Sequence, residues 1–280
     1  LVAAVLGLAV AAGPAAATGE QATIDVNKSA FQPPCLNFTD SYPQKMLDAA
    51  VAAYQRLGYG ASGFSGPAFT KAHTLARTVD DWGYYVHSHG DFYLDRRDGR
   101  RDTGFREDAG KCSGDIVFSK DIKAKRNGRQ SNLVFISTCH SADANTTMPD
   151  AFAIEKVKAG QLAWNGPEFY VGYVGTQWDS DEWTFEQRFW SGLATGMGVG
   201  AAFDYARLGS FRSATFQADW WGSYVWSGRA GLGGGCSNCV SRRERCTRHV
   251  DPGAGRPCSL WVPSSPAAAA SPRLGRRPRR

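Results

Sequence analysis

Three short, uninterrupted apolar runs constrain this chain more than any other feature: Gly83-Tyr84-Tyr85-Val86, Leu133-Val134-Phe135-Ile136 and Phe169-Tyr170-Val171-Gly172-Tyr173-Val174. A strand with one wet face alternates apolar and polar residues, whereas a run that is apolar throughout must be covered on both faces, as in a parallel sheet between helices. Helical patterns separate these runs. Met46, Leu47, Ala50, Val51, Tyr54 and Leu57 share one helical face behind Ser41 as a cap and Pro43 in the first turn, and Gly58 and Gly60 stop the helix. Residues 69–78 and 184–193 repeat the pattern, the second through Phe185, Phe189, Trp190 and Leu193, and Val199, Ala202, Phe203 and Ala206 continue it. Residues 151–157 read as a short helix and 120–126 as part of a crossover helix, with strands at 22–26 and 116–118 and a loop or short strand in the Gly-rich stretch up to Gly66. The polar stretch 91–132, most charged at 95–102, reads as a solvated loop. Strands alternating with helices predict an α/β fold, a mainly parallel sheet flanked by helices.

With 280 residues, 42% hydrophobic content and nine Trp, the chain can fill a sizeable core. Residues 1–12 are almost wholly apolar and precede Ala15-Ala16-Ala17, which reads as an export signal (1–17) without its start. The run of about 12 residues is too short to span a bilayer, so no stable membrane span is expected, and the location is secreted or extracytoplasmic. The net charge of +6 is local. Ten of the 32 Lys and Arg lie from Val240 onward against two of the 26 acids, leaving 22 bases and 24 acids, net −2, in the rest. The folded body is therefore not a nucleic-acid-binding surface, and the Cys- and Arg-rich tail 236–280 has the composition of a disordered segment. Seven cysteines is an odd number. In an exported chain six would pair, leaving one reactive thiol, and Cys139 is the candidate. Cys35, Cys112, Cys236, Cys239, Cys246 and Cys258 can then form up to three bridges, with a zinc site on the last four as an alternative.

The first two apolar runs end in reactive side chains, His87-Ser88-His89-Gly90 and Ser137-Thr138-Cys139-His140-Ser141. Residues just past the carboxyl ends of parallel strands line the crevice where ligands bind. A thiol nucleophile needs a base and a pair of N–H donors for the oxyanion it creates. His89 and Cys139 can supply the first pair; Gly90, without a Cβ, and Cys139 can supply the backbone donors. His87 is the rival base, since residues two apart on a strand share a face. A zinc site using His87, His89, Cys139 and His140 is a second kind of reading.

These blocks, Val86-His87-Ser88-His89-Gly90 and Ile136-Ser137-Thr138-Cys139-His140-Ser141-Ala142, resemble the His-Gly and Cys blocks of the caspase-like cysteine peptidases, which include metacaspases, gingipains, legumains and separases. Their order and 50-residue separation fit that pattern. Residues 170–175, 185–190 and 196–206 resemble the strand and two helices that follow the nucleophile in gingipain-like members, so the likeness covers roughly 22–208. It implies a three-layer sandwich, a catalytic domain over 22–235, and hydrolysis of a protein or peptide through an acyl-enzyme. Cys139 is then the nucleophile and His89 the general base or ion-pair partner, and no cofactor is called for. Metacaspases carry an acid two residues before the nucleophile that helps bind a basic side chain. Ser137 stands there, so that preference does not carry over, and neither does their calcium dependence. Asp143, Asp179 and Asp181 follow the sheet edge and are candidate substrate-binding residues. The non-enzymatic alternative is a caspase-like module that binds a partner through the crevice or the Trp-rich segment 219–226.

Overall fold

The computed structural model describes residues 20–36, 41–156 and 168–222, all within one compact unit. The chain runs β1 (Gln21–Val26), α1 (Tyr42–Arg56), β2 (Gly60–Ser65), α2 (Lys71–Arg77), β3 (Gly83–His87), β4 (Gly90–Asp95), β5 (Arg100–Arg106), β6 (Ile116–Phe118), α3 (Ser119–Arg126), β7 (Leu133–Ser137), α4 (Met148–Ala151), β8 (Phe169–Tyr173), α5 (Asp179–Ala194), α6 (Val199–Arg207) and β9 (Ala218–Gly222). Six strands form one sheet in the order β2-β1-β3-β7-β8-β9, parallel except for β9. The three apolar runs supply its neighbouring inner strands β3, β7 and β8, whose residues are all buried.

Both faces are covered, as the runs demand. Tyr85, Leu133, Phe135, Val171 and Tyr173 pack with α1, α5 and α6, while Tyr84, Val86, Val134, Ile136 and Tyr170 pack with residues of α3 and α4 and Leu75 of α2. The fold is an α/β three-layer sandwich. The two-residue alternation of each strand assigns the faces, and it carries His87 and Ser137, Cα partners across β3 and β7, onto the α1/α5 side.

The charged stretch at 95–102 is a solvated loop only at its exposed turn, 96–99. It belongs to the antiparallel β4–β5 hairpin, paired from Gly90 with Phe105 to Asp95 with Arg100, in a small sheet with β6. Its charges satisfy one another instead of packing: Arg97 pairs with Asp95 at 2.6 Å and Asp121 at 2.9 Å, and Lys120 with Asp95 at 2.7 Å. Other boundaries shift as well. The helix placed at 151–157 begins at Met148, led by Pro149 in its first turn, and ends at Ala151. The helix placed from 184 starts at Asp179, where three acids in the first turn offset its positive end. Ser41 occupies the N-cap of α1 without a side-chain capping bond.

Cys35 and Cys112 form a disulfide, and Cys139 is a free thiol. Among the described residues no helix is long and apolar enough to cross a membrane. The expected signal 1–17, the tail 236–280 with its four cysteines, and residues 223–226 of the Trp-rich segment lie outside the described residues.

On the α2 face, Asp25 in β1 is fully buried. Its Oδ2 accepts hydrogen bonds from Thr74 and Tyr84 at 2.9 Å each, while Oδ1 has no hydrogen-bond partner and lies 3.7 Å from His73 Nε2. Burial pushes its carboxyl up to about 7 against the two hydroxyls; Asp81 adds to the rise and Arg77 opposes it. Because this value lies above the ordinary carboxylate range, the contribution to stability is full below about pH 4 and falls as pH rises to about 7. Asp25→Asn keeps an acceptor for both hydroxyls and offers an N–H towards His73. We expect it to stabilise the protein at pH 8 by about 2 kcal/mol and not at pH 4. Equal effects in denaturant melts at both pH values would exclude Asp25 as the source.

Candidate functional site

β3 ends at His87, so His89 lies just beyond the sheet, and β7 ends at Ser137, two residues before Cys139. The segments after these adjacent strands touch. A Cβ at Gly90 would overlap Thr138 Oγ1 and come within 3.0 Å of the Cys139 carbonyl oxygen, so the close approach requires glycine there. The Ser88 N–H donates to the Ser137 carbonyl at 3.1 Å, which continues the β3–β7 pairing into the turn.

His89 and Cys139 are both half-buried. The His89 backbone is fixed, its carbonyl accepting from the Arg106 N–H at 3.0 Å, but its side chain makes no hydrogen bond among the described residues. Burial holds the imidazole below its ordinary value, against the nearby Asp179 charge, so it is neutral at pH 7. The Cys139 thiol faces Gln177 rather than His89, accepting from its N–H at 3.4 Å and approaching its carbonyl at 3.9 Å. Burial pushes this thiol up to about 12, and the charges of Glu182, Asp179 and Asp91 add to the rise. It is a thiol, not a thiolate, at neutral pH.

Two backbone N–H groups of these segments, Cys139 and Gly90, have no hydrogen-bond partner among the described residues. Cys139 donates its N–H to no group among the described residues. Gly90 lies on β4, the outer strand of the small sheet. The Arg106-to-His89 bond puts the flanking pair in the hydrogen-bonded register, so Gly90 turns its N–H away from β5.

The other sequence candidates hold structure. His140 takes a left-handed backbone (φ 61°) and bonds Asp143 Oδ2 at 2.8 Å and Thr176 Oγ1 at 3.2 Å, with its N–H on the Gly175 carbonyl. Asp143 also accepts from the Gly175 N–H at 2.6 Å, so it ties two loops together. Asp181 is buried and caps the Arg212 and Ser213 N–H groups at 2.6 and 2.8 Å. Asp179 alone of the three acids acts electrostatically on both His89 and Cys139. It also lines a cavity of about 350 Å³ with Tyr42, Trp183 and Arg212.

His87 belongs to a buried network that sequence reasoning missed. Its Nδ1 lies 3.1 Å from Glu186 Oε1 and 3.0 Å from Ser137 Oγ, and its Nε2 lies 3.0 Å from the Tyr42 hydroxyl. Glu186 also accepts from Tyr85 at 2.5 Å, Tyr173 at 3.2 Å and Ser137. Burial alone would push His87 down, but the Glu186 carboxylate outweighs it and, with Glu182 and Asp179, lifts the imidazole to about 9. His87 is therefore charged and fully engaged, and it cannot serve as a base for Cys139. A signal was present: Glu182 and Glu186, four apart on α5, share its buried face with Phe185 and Phe189, where acids need partners.

The proposed zinc set of His87, His89, Cys139 and His140 does not assemble. Among the described residues, the metal-type side chains that converge are His87, Glu182 and Glu186, within 4.8 Å of one another. Glu186 and both His87 nitrogens are already taken up by hydrogen bonds, so this cluster acts as an ion pair with a neighbouring acid. Burial pushes that acid, Glu182, up to about 8.

The His87 shift stabilises the fold fully below its ordinary value of about 6.5, and this contribution is lost as pH rises through about 9. Glu186→Gln is expected to cost about 3 kcal/mol at pH 7, with a smaller cost above pH 9. Urea unfolding at both pH values, with histidine NMR to follow His87, checks this. A cost independent of pH would mean that the pair is not ionic.

No family model matches this chain, and no curated protein matches it. Among solved structures, it is similar to protein GSU0716 from Geobacter sulfurreducens, known from a crystal structure, at 14% identity over 73% of this chain and 93% of that one, with a TM-score of 0.39.

Proposed function

We propose that the protein is a cysteine endopeptidase in which Cys139 attacks a peptide carbonyl, His89 takes the thiol proton, and the Gly90 and Cys139 N–H groups receive the oxyanion. The observation that carries this reading is that the adjacent parallel strands β3 and β7 end just before a half-buried neutral histidine and a half-buried free cysteine, with the Gly90 backbone packed closely on Thr138 and the Cys139 carbonyl. The order of elements also agrees with the resemblance: a strand with His-Gly, a parallel neighbour with Cys, then a strand and two helices.

The protonation states define the base's role. A thiol pushed up to about 12 beside a neutral histidine is not a preformed thiolate–imidazolium pair. The proton passes to His89 as Sγ bonds the carbonyl carbon, so the base acts in the step itself. His89 then protonates the leaving amine, and the acyl-enzyme forms. Water, deprotonated by the same imidazole, adds to the thioester carbonyl; the C–S bond breaks, the Cys139 sulfur takes the proton back from His89, and the acid product leaves. For this step the His89 imidazole must turn towards the Cys139 thiol, which now contacts Gln177, and catalytic contacts of this kind tighten when substrate binds. A disulfide together with an apolar leader fits export of this enzyme from the cytoplasm.

A non-catalytic module is the second reading, favoured by the contact of Cys139 with Gln177 in place of His89. The two part on one reagent. A peptidyl acyloxymethyl ketone should label Cys139 at neutral pH in the peptidase and leave it unlabelled in the module. On a peptide library Cys139→Ala should lower kcat/KM by about 10⁴-fold or more and His89→Ala by about 10²- to 10⁴-fold, with folding retained. Activity should rise with pH through a value below 6.5, the titration of His89. Cleavage that persists in Cys139→Ala would sink the peptidase reading.

A further inference from the structure

We propose that Phe31 is the positioning residue for His89, and that the Cys35–Cys112 disulfide holds it in place, so that activity needs this bond oxidised while Cys139 stays reduced. This rests on the peptidase reading above.

Residues 27–36 leave β1 and cross the end of β3 as a strap. The Asn27 N–H donates to the His87 carbonyl at 2.9 Å, and its Nδ2 reaches Ser88 Oγ and the Glu107 carbonyl at 3.2 Å each. Asp108 takes the next two N–H groups, Lys28 at 2.8 Å and Ser29 at 3.3 Å. Beyond Ser29 the strap is tied back to the small sheet's loop by the disulfide, whose Cys112 is exposed and open to a reductant. Phe31, between these two anchors, is 1% exposed. Its ring centroid lies 4.6 Å from that of His89 and 4.9 Å from that of His87.

The two histidines depend on that ring unequally. His87 is gripped by Glu186, Ser137 and Tyr42, so the ring adds little to its orientation. Among the described residues the His89 side chain makes no hydrogen bond, and its ring packs on Phe31. Phe31 therefore fixes the plane of the His89 imidazole and keeps water from one side of it, which also keeps the imidazole neutral. Reduction by a dithiol transfers two electrons and two protons to the bond, leaving thiols at Cys35 and Cys112 and a cyclic disulfide on the reagent. The near anchors at Asn27 and Asp108 remain, but the segment that carries Phe31 is released at its far end.

The test uses the full chain, with histidine NMR titration alongside peptide hydrolysis, and His89→Gln identifies the His89 signal among the five histidines. Phe31→Leu keeps the apolar volume without the ring. The paired variant Cys35→Ser with Cys112→Ser removes the bond without reductant. Both should move His89 titration up towards about 6.5 and lower kcat about tenfold with little change in KM, whereas Phe31→Tyr should restore both. The parent treated with dithiothreitol should behave as the double-serine variant does. If Phe31→Leu and the double-serine variant fold and leave His89 titration unchanged, the proposal falls, whatever the activity. A parent that hydrolyses nothing overturns the peptidase reading instead, and the His89 titration then decides the positioning role alone.

Discussion

The carboxyl edge of this sheet is organised by one charged pair that water does not reach. Burying His87 and Glu186 costs far more than an exposed pair would, and the cost is offset only where the remaining acceptors are filled. Here they are filled from four elements: Tyr42 opens α1, Tyr85 lies in β3, Ser137 ends β7 and Tyr173 ends β8, while Glu186 itself sits on α5. A cluster of apolar side chains of the same volume would serve stability as well or better. It would not set directions. The bonds from Ser137, Tyr173 and His87 hold the ends of β7, β8 and β3 against α5, and the segments that carry His89 and Cys139 start there.

The same pair explains how two histidines two residues apart come to differ. His87 meets a carboxylate at 3.1 Å and keeps its proton; His89, outside the sheet against Phe31, meets burial without a bonded anion and loses it. One imidazole is a fixed structural cation and the other a free base. The charge on His87 also disfavours a second charge on its neighbour, so the ion pair acts on His89 through the field as well as through geometry.

Much of this was legible in the sequence, for reasons that can be traced to particular residues. Val134 and Ile136 pack on one face and Leu133 and Phe135 on the other, so a run with no polar position meant two covered faces and a parallel sheet. The strand ends followed, and with them His89, Gly90 and Cys139. Periodicity could not separate His87 from His89, because the deciding partner, Glu186, lies 99 positions away from His87 on α5. The same limit hid the hairpin at 90–106, where ion pairs replace apolar alternation, and the structural duties of Asp143 and Asp181, which rest on backbone N–H groups of distant loops. Contacts between side chains on one strand are written in its period, whereas partners brought by a crossover are not.

The state of Cys139 follows from this same edge. Burial and three acids, Glu182, Asp179 and Asp91, hold its proton on. A thiolate is also the form that oxidises and exchanges with disulfides. An environment oxidising enough to close Cys35–Cys112 would threaten an ionised thiol in the same domain, and a thiol that stays protonated until substrate and base meet is slow in both side reactions. One of the acids that raise the thiol, Asp179, also favours the imidazolium when His89 takes the proton, as it disfavours the thiolate. The field at this edge therefore opposes ionisation of Cys139 at rest and, in the proposed mechanism, would assist the transfer of its proton to His89 as Sγ bonds carbon, when no thiolate charge accumulates.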